Sequence, residues 1–222
     1  MDPQEGDKAA HDLARLTMNT SSAEDAAAAK AGAMEGLSHV LINGAPAASM
    51  SAASALANLV ANAGSNKVTL CKIPGVLVKL VGLLRGERGG QRNDDDDDGM
   101  LAERGQDSAV RAMLNIVSSR EACAAVLEQQ GAVESVCELL RSPRRNPRDD
   151  AARVINVIVS HGKRSALAVG SCEGALQAII AQVGWLPEPV LRRMLSLWLS
   201  QGVVERFVCV VSAVQLNNCL LS

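Results

Sequence analysis

The chain has 222 residues, of which 48% are hydrophobic and 1% aromatic, and its formal net charge is −2. This is enough apolar material for one large domain or two small ones, and a core of Ala, Leu, Val, Ile and Met favours thin layers of helices over one thick core. The near-neutral charge argues against a general nucleic-acid binder, which needs surplus Lys and Arg to displace counterions.

The N-terminal stretch MDPQEGDKAAHDLARL is acidic and polar, whereas a secretory signal is basic and then apolar. No segment reaches the roughly 18 apolar residues that a membrane helix requires. The six cysteines form no C-x-x-C and have no His partner at metal-ligand spacing, so we expect reduced core thiols. These features predict a cytoplasmic or nuclear protein with no metal, no cofactor, no membrane contact and no nucleic-acid partner.

One position recurs along the whole chain, and we call it the ladder position. Successive ladder positions are separated by 43, 57, 41 and 40 residues. The longest separation contains the insertion RGERGGQRNDDDDDGMLAERGQ (85–106), so the underlying period is near 42 residues. The ladder residues are Arg15, Asn58, Asn115, Asn156 and Ser196.

Each ladder residue stands in an amphipathic helical pattern. Residues five back, two back, one back and one ahead of it are apolar in all five units; around Asn58 they are Ala53, Leu56, Ala57 and Leu59. At about 100° per residue these positions form one stripe, whose centre is nearly opposite the ladder residue. The pattern therefore predicts that Asn58 points away from the core.

Two shorter helices fit into each unit and meet at a glycine, namely Gly32, Gly75, Gly131 or Gly174, with Ser212 at this place in the fifth unit. A glycine there can adopt positive φ and close a tight corner. A helix triplet of this period cannot bury its stripe alone, so neighbouring units must stack. We predict an all-α, right-handed α-solenoid of about five repeats over residues 1–222.

The chain resembles the armadillo-repeat family in SAASALANLV with NKVTLCKIPGVLVKLVGLL, and in SAVRAMLNIV with REACAAVLEQQGAVESVCELL. A weaker match continues through DDAARVINVIV, and the resemblance covers about residues 7–220. It implies that the helix carrying the Asn is the third of each repeat and lines a concave groove. It also implies that the Asn amide binds the backbone of an extended peptide.

The predicted partner-binding residues share the face of these third helices with the ladder position. Asn amides can pair with a peptide backbone, and Arg guanidinium groups select carboxylate or phosphate, so we expect an extended segment that is acidic or phosphorylated where it meets the third to fifth repeats. Two alternatives stay open: Asn residues that only tie adjacent helices together, and arginines of an ordinary charged surface. The residues are Ser54, Asn58, Asn62, Arg111, Asn115, Arg153, Asn156, Arg192, Arg193 and Ser196.

Two charged segments lie between the repeated helices. The acidic run NDDDDDG (93–99) predicts a disordered loop over 86–106, because adjacent carboxylates repel one another; a sharper hypothesis is that it competes for the basic groove. The basic turn RSPRRNPRDD (141–150) predicts that Asp149 or Asp150 caps the next helix. Its alternatives are an acidic or phosphate contact through Arg144 and Arg145, and phosphorylation of Ser142.

No catalytic motif is present. The histidines His11, His39 and His161 belong to different units, and the sequence has neither G-x-x-x-x-G-K-[ST] nor G-x-S-x-G. We therefore predict a non-enzymatic scaffold or adaptor that binds a protein or peptide. The alternative is a regulatory module of protein quality control, of the ubiquitin-ligase substrate-arm or Hsp70 nucleotide-exchange type. Because the chain begins and ends within repeats, we also expect further repeats or self-association through the open ends.

Overall fold

A computed structural model describes Asp12 and residues 32–61, 63–87 and 97–172, with the side chains of residues 97 and 98 left out. Within these ranges the regular structure is helical, and no strand occurs. The helices are α1 (Ala33–Asn43), α2 (Pro46–Ala61), α3 (Gly64–Lys72), α4 (Val76–Leu84), α5 (Asp97–Val117), α6 (Arg120–Glu128), α7 (Ala132–Leu139), α8 (Arg145–Ser160) and α9 (Lys163–Ser171).

The helices follow the predicted order of two short helices and one long helix. In chain order α3–α4–α5 and α6–α7–α8 each follow the predicted triplet, and α1 and α2 correspond to the second and third helices of the triplet before them. None of these helices is long and apolar enough, in the part of the chain described, to cross a membrane.

Glycine closes the corner before the second helix of each described repeat. The φ angles of Gly32, Gly75 and Gly131 are 87°, 85° and 77°, which confirms the predicted positive φ. An L-residue in this region strains the backbone, because its Cβ approaches the neighbouring carbonyl oxygen. Gly174, the fourth predicted corner, lies outside the described residues.

The described residues divide into two compact units, with the boundary between Ser135 and Val136. In the first unit α2 packs against α1 and α5, and in the second unit α8 packs against α9. The side chains of Ala52, Ala53 and Ala57 in α2 are fully buried, and their small size allows long helices to approach closely. One continuous solenoid over residues 1–222 stays a prediction.

Side chains also connect the repeats of the first unit. Asn66 Nδ2 donates to the carbonyl oxygen of Leu59 at 3.0 Å and so satisfies a carbonyl in the last turn of α2. Arg85 Nε donates to Ser135 Oγ at 3.0 Å and covers the corner at Gly131, so that a Cβ on this glycine would collide with the Arg85 guanidinium. Each of these contacts joins the end of one helix to the next element of the stack.

Helix α5 begins earlier than the sequence predicts. Residues 97–106 are helical, although they belong to the segment predicted as a disordered loop, and residues 88–96 lie outside the described ranges. At the end of this segment Gly105 is buried beside Leu83 and Met50, where an added Cβ would lie 3.4 Å from each side chain, and Gln106 Nε2 donates to the Leu84 carbonyl oxygen at 3.1 Å. Repulsion between adjacent carboxylates therefore does not prevent a helix in residues 97–106.

The start of α8 corrects a second prediction. The N-cap residue is Arg144, with no side-chain cap, so Asp149 and Asp150 lie inside the helix and cap nothing. They form ion pairs along the helix instead, Asp149 with Arg145 at 3.3 Å and Asp150 with Arg153 at 3.4 Å.

Candidate partner-binding face

The three described ladder residues lie at the edge of the buried stripe and not within it. The side chains of Asn58, Asn115 and Asn156 are half-buried, and most of the predicted stripe residues of α2, α5 and α8 are fully buried. The exceptions are Leu114 and Val157, which are half-buried. The helical phase predicted from the sequence is therefore confirmed in these three helices.

In the first unit the ladder contributes directly to packing. Asn115 Nδ2 donates to the main-chain carbonyl oxygen of Ala57 at 2.8 Å, so this amide ties α5 to α2. This is the tying role that the sequence left open as an alternative. The Oδ1 atom of Asn115 accepts no hydrogen bond from the described residues, which leaves the side chain one acceptor for a partner. Beside it on α2, Ser54 is half-buried, and Asn58 is already engaged in an interaction of its own.

Arg111 lies one helical turn before Asn115. Its side chain is exposed and makes neither a hydrogen bond nor an ion pair with any described residue. Residues four apart share a helix face, so a guanidinium donor and an amide acceptor are offered side by side. Such a pair can bind a carboxylate or phosphate and an adjacent backbone N–H of one extended segment.

In α8 the equivalent Arg and Asn side chains make different interactions from those in α5. Arg153 pairs with Asp150, one turn back on its own helix, and the two side chains are 69% and 22% exposed. The amide of Asn156 makes no hydrogen bond to the described part of the chain. Asp150 lies beside the face and not among its predicted residues, so the pairing of Arg153 was not expected from the face alone.

Two further cations extend the face of the first unit. Arg104 is exposed and precedes Arg111 by seven residues, two helical turns, so both lie on one side of α5, with Asp107 between them. Lys67 Nζ donates to Ser118 Oγ at 2.6 Å, just beyond Asn115, and burial lowers the pKa of this amine. The seven-residue spacing could have revealed Arg104, but nothing in the sequence links Lys67 to Ser118.

Four of the predicted residues lie outside the described ranges, so the prediction for them is unchanged: Asn62, Arg192, Arg193 and Ser196. The described residues also contain no group of His, Cys, Asp and Glu side chains that could hold a metal ion. The thiols of Cys71 and Cys123 are free, and burial raises the pKa of each to about 11, with Cys123 adding to the rise at Cys71.

No protein-family model matches the chain, and no curated protein matches it. Among solved structures, an engineered protein from the Northeast Structural Genomics Consortium is 26% identical, with a TM-score of 0.69 over 97% of this chain and 84% of its own. A designed armadillo repeat protein is 18% identical, with a TM-score of 0.46 over 88% of this chain and 93% of its own. A second one, in complex with the peptide (KR)4, is 20% identical, with a TM-score of 0.45 over 93% of this chain and 94% of its own.

The three-helix units and their left-handed glycines agree with the resemblance first seen in the sequence, and the engineered structure, at a TM-score of 0.69, is similar in fold. The predicted all-α class is confirmed for the described residues. The chain therefore has an armadillo-like repeat fold.

Proposed function

We propose that this chain is a non-enzymatic protein-binding scaffold, and that it binds an extended acidic or phosphorylated segment of a partner along the polar faces of α2 and α5. The observation that carries the proposal is Arg111, an exposed guanidinium that meets no acceptor among the described residues. Arg111 has no intramolecular partner to give up on binding, and its planar guanidinium loses less freedom per hydrogen bond than an ammonium group does, which favours a specific contact with an anion.

The hydrogen bond of Asn115 sharpens what the partner must offer. One Nδ2–H group of Asn115 donates to the Ala57 carbonyl oxygen, and Oδ1 accepts from no described residue, so we expect the partner to present an N–H group opposite Oδ1. An extended backbone presents such groups at alternate residues, and an acidic side chain or phosphate nearby would reach Arg111. The proposed ligand is therefore a strand-like segment with an anion one or two residues from the N–H that Asn115 receives.

Binding of fluorescent peptides to the full chain tests this proposal. The probes are an extended acidic peptide, its phosphoserine version and a basic peptide of equal length. We expect the acidic and phosphorylated peptides to bind, and Arg111→Glu to weaken both by tenfold or more, because the exchange replaces attraction by repulsion.

Lys72→Glu is the matched control, since it makes the same change of charge at an exposed position of α3, away from the face. Equal losses in both variants would mean that only net charge matters. Preference for the basic peptide would contradict the proposal outright.

The quality-control alternative depends on Arg192 and Arg193, which lie outside the described residues. It stays a prediction, to be tested by the effect of charge reversal at these residues on nucleotide release from Hsp70.

A further inference from the structure

The turn between α7 and α8 contains a sequence that the binding face does not use. Ser142 and Pro143 form the only Ser-Pro or Thr-Pro pair in the chain, and Arg144 and Arg145 follow directly. A serine before proline is held in extended conformation, which is the conformation that a protein kinase binds in its substrate cleft. Proline-directed kinases recognise this pair, and basic residues two and three positions after the serine strengthen the recognition.

The segment is accessible from solvent. Arg141, Pro143 and Arg145 are exposed, and Ser142 is half-buried between them. The Oγ atom of Ser142 accepts a hydrogen bond from the backbone N–H of Arg144 at 3.2 Å, a single contact that is lost at small cost when the turn opens. The backbone N–H of Ser142 also donates to the Leu139 carbonyl oxygen at 3.0 Å, so a kinase must break both hydrogen bonds and open the turn between the end of α7 and the start of α8.

Ser142 lies in a run of cationic residues between Glu138 and Asp149. Within residues 141–148 the ionisable side chains are all cationic, and the first acid in α8 is Asp149. Three of these cations stand at the start of the helix, where positive charge opposes the helix dipole. A phosphate on Ser142 would bring two negative charges and three acceptor oxygens to this end of the helix.

We propose that Ser142 is a phosphorylation site for a proline-directed serine/threonine kinase. In the reaction Ser142 Oγ forms a bond to the γ-phosphorus of ATP, the bond from that phosphorus to the oxygen of ADP breaks, and the hydroxyl proton passes to a base of the kinase. The phosphate then accepts from Arg144 and Arg145, so that Arg145 exchanges Asp149, now 3.3 Å away, for a stronger partner. The Ser-Pro-Arg-Arg sequence is what the kinase recognises, and the helix end determines only what the phosphate does afterwards.

The test begins with the folded chain, a purified proline-directed kinase and ATP, with the site located by mass spectrometry. A synthetic peptide of residues 137–147 is the positive control for the kinase, and Ser142→Ala is the negative control. We expect one phosphate on the wild-type chain, located at Ser142, and none in the variant. Three outcomes would overturn the proposal: phosphorylation of the peptide but not of the folded chain, phosphorylation of neither, or phosphorylation of Ser142→Ala at the wild-type level.

The second measurement is the thermal midpoint of the phosphorylated chain against the unmodified chain. We expect a rise of about 2 °C at low ionic strength, which falls away in 1 M salt because screening weakens the new contacts. The double variant Arg144→Ala/Arg145→Ala should be phosphorylated more slowly; once it is phosphorylated to completion with excess kinase, it should lose at least half of this rise. An unchanged midpoint, or an equal rise in the double variant, would refute the role given to the two arginines.

Discussion

Helices α5 and α8 carry nearly the same residues at the same places, an Arg about one turn before the ladder Asn and a Ser one turn after it, yet they offer a partner different groups. In α5 the guanidinium of Arg111 is unpaired among the described residues, and the amide of Asn115 is held by Ala57. In α8 the guanidinium of Arg153 is paired with Asp150, and the amide of Asn156 makes no bond within the described ranges. A repeat pattern therefore fixes the position of a side chain, while its neighbours determine whether it is free to bind.

The largest expected difference between the two helices concerns the residue just before the ladder position. Ile155 is fully buried, whereas its equivalent Leu114 is half-buried. We expect Ile155→Ala to lower the free energy of unfolding by about 3 kcal/mol and Leu114→Ala by about 1 kcal/mol, because a cavity forms only at the enclosed site. Urea unfolding followed by circular dichroism measures both. Equal losses would show that the two helices are buried alike.

Replacement of the ladder Asn should give the opposite ranking, with a larger loss of stability in α5 than in α8. Asn115→Ala removes the hydrogen bond to Ala57, so we expect it to cost about 1 kcal/mol of folding free energy. Asn156→Ala breaks no bond to a described residue and gains helix propensity, so stability should stay within about 0.5 kcal/mol of wild type.

The same two variants also separate binding from folding. Loss of peptide affinity in Asn156→Ala without loss of stability would give that amide a binding role. Wild-type affinity in the Asn115→Ala/Asn156→Ala double variant would count against a role for the ladder in binding.

The pairing of the two arginines can be exchanged between the helices. Asp150→Asn frees Arg153 and should cost only about 0.3 kcal/mol, since the Arg153 guanidinium is 69% exposed and the pair lies within one helix. Ser108→Asp places an acid three residues before Arg111, the spacing found in α8. We expect the first change to raise affinity for an acidic peptide a few-fold and the second to lower it by a similar factor, as read by fluorescence anisotropy. A result with the signs reversed would show that pairing does not control access to these arginines.

The smallest expected effect on the free energy of unfolding near neutral pH comes from two thiols. They lie on α3 and α6, the first helices of successive repeats. The pKa of Cys71 and of Cys123 rises from the ordinary thiol value of 9.0 to about 11 in the fold, because burial disfavours the thiolate. The unfolded chain therefore loses these protons first, and the free energy of unfolding should fall as pH rises from about 9 to about 11. Replacing both residues by Ala should remove this part of the pH dependence, and alkylation of the folded chain followed site by site should stay slow at about pH 7.5. Rapid labelling of either thiol at that pH would contradict the assigned burial.

Much of this fold could be predicted from local sequence, and the failures have specific causes. The buried phase of α2, α5 and α8 and the corners at Gly75 and Gly131 follow from apolar spacing and from backbone sterics. The pairing of Asp150 with Arg153 was also within reach, because three residues is a helical contact distance. The helical residues 97–106 were not, since their packing on Met50 and Leu83 involves residues far away in sequence.

The sequence by itself determined the helical period, the stripe that each third helix buries and the positions of Asn58, Asn115 and Asn156 beside that stripe. These properties depend on contacts between residues at most a few turns apart. Only the tertiary structure decided that Asn115 donates to Ala57 and that Arg111 remains unpaired within the described residues. A hydrogen bond across 58 residues exists only once two repeats are stacked, and a side chain is free only if no neighbour in space takes it.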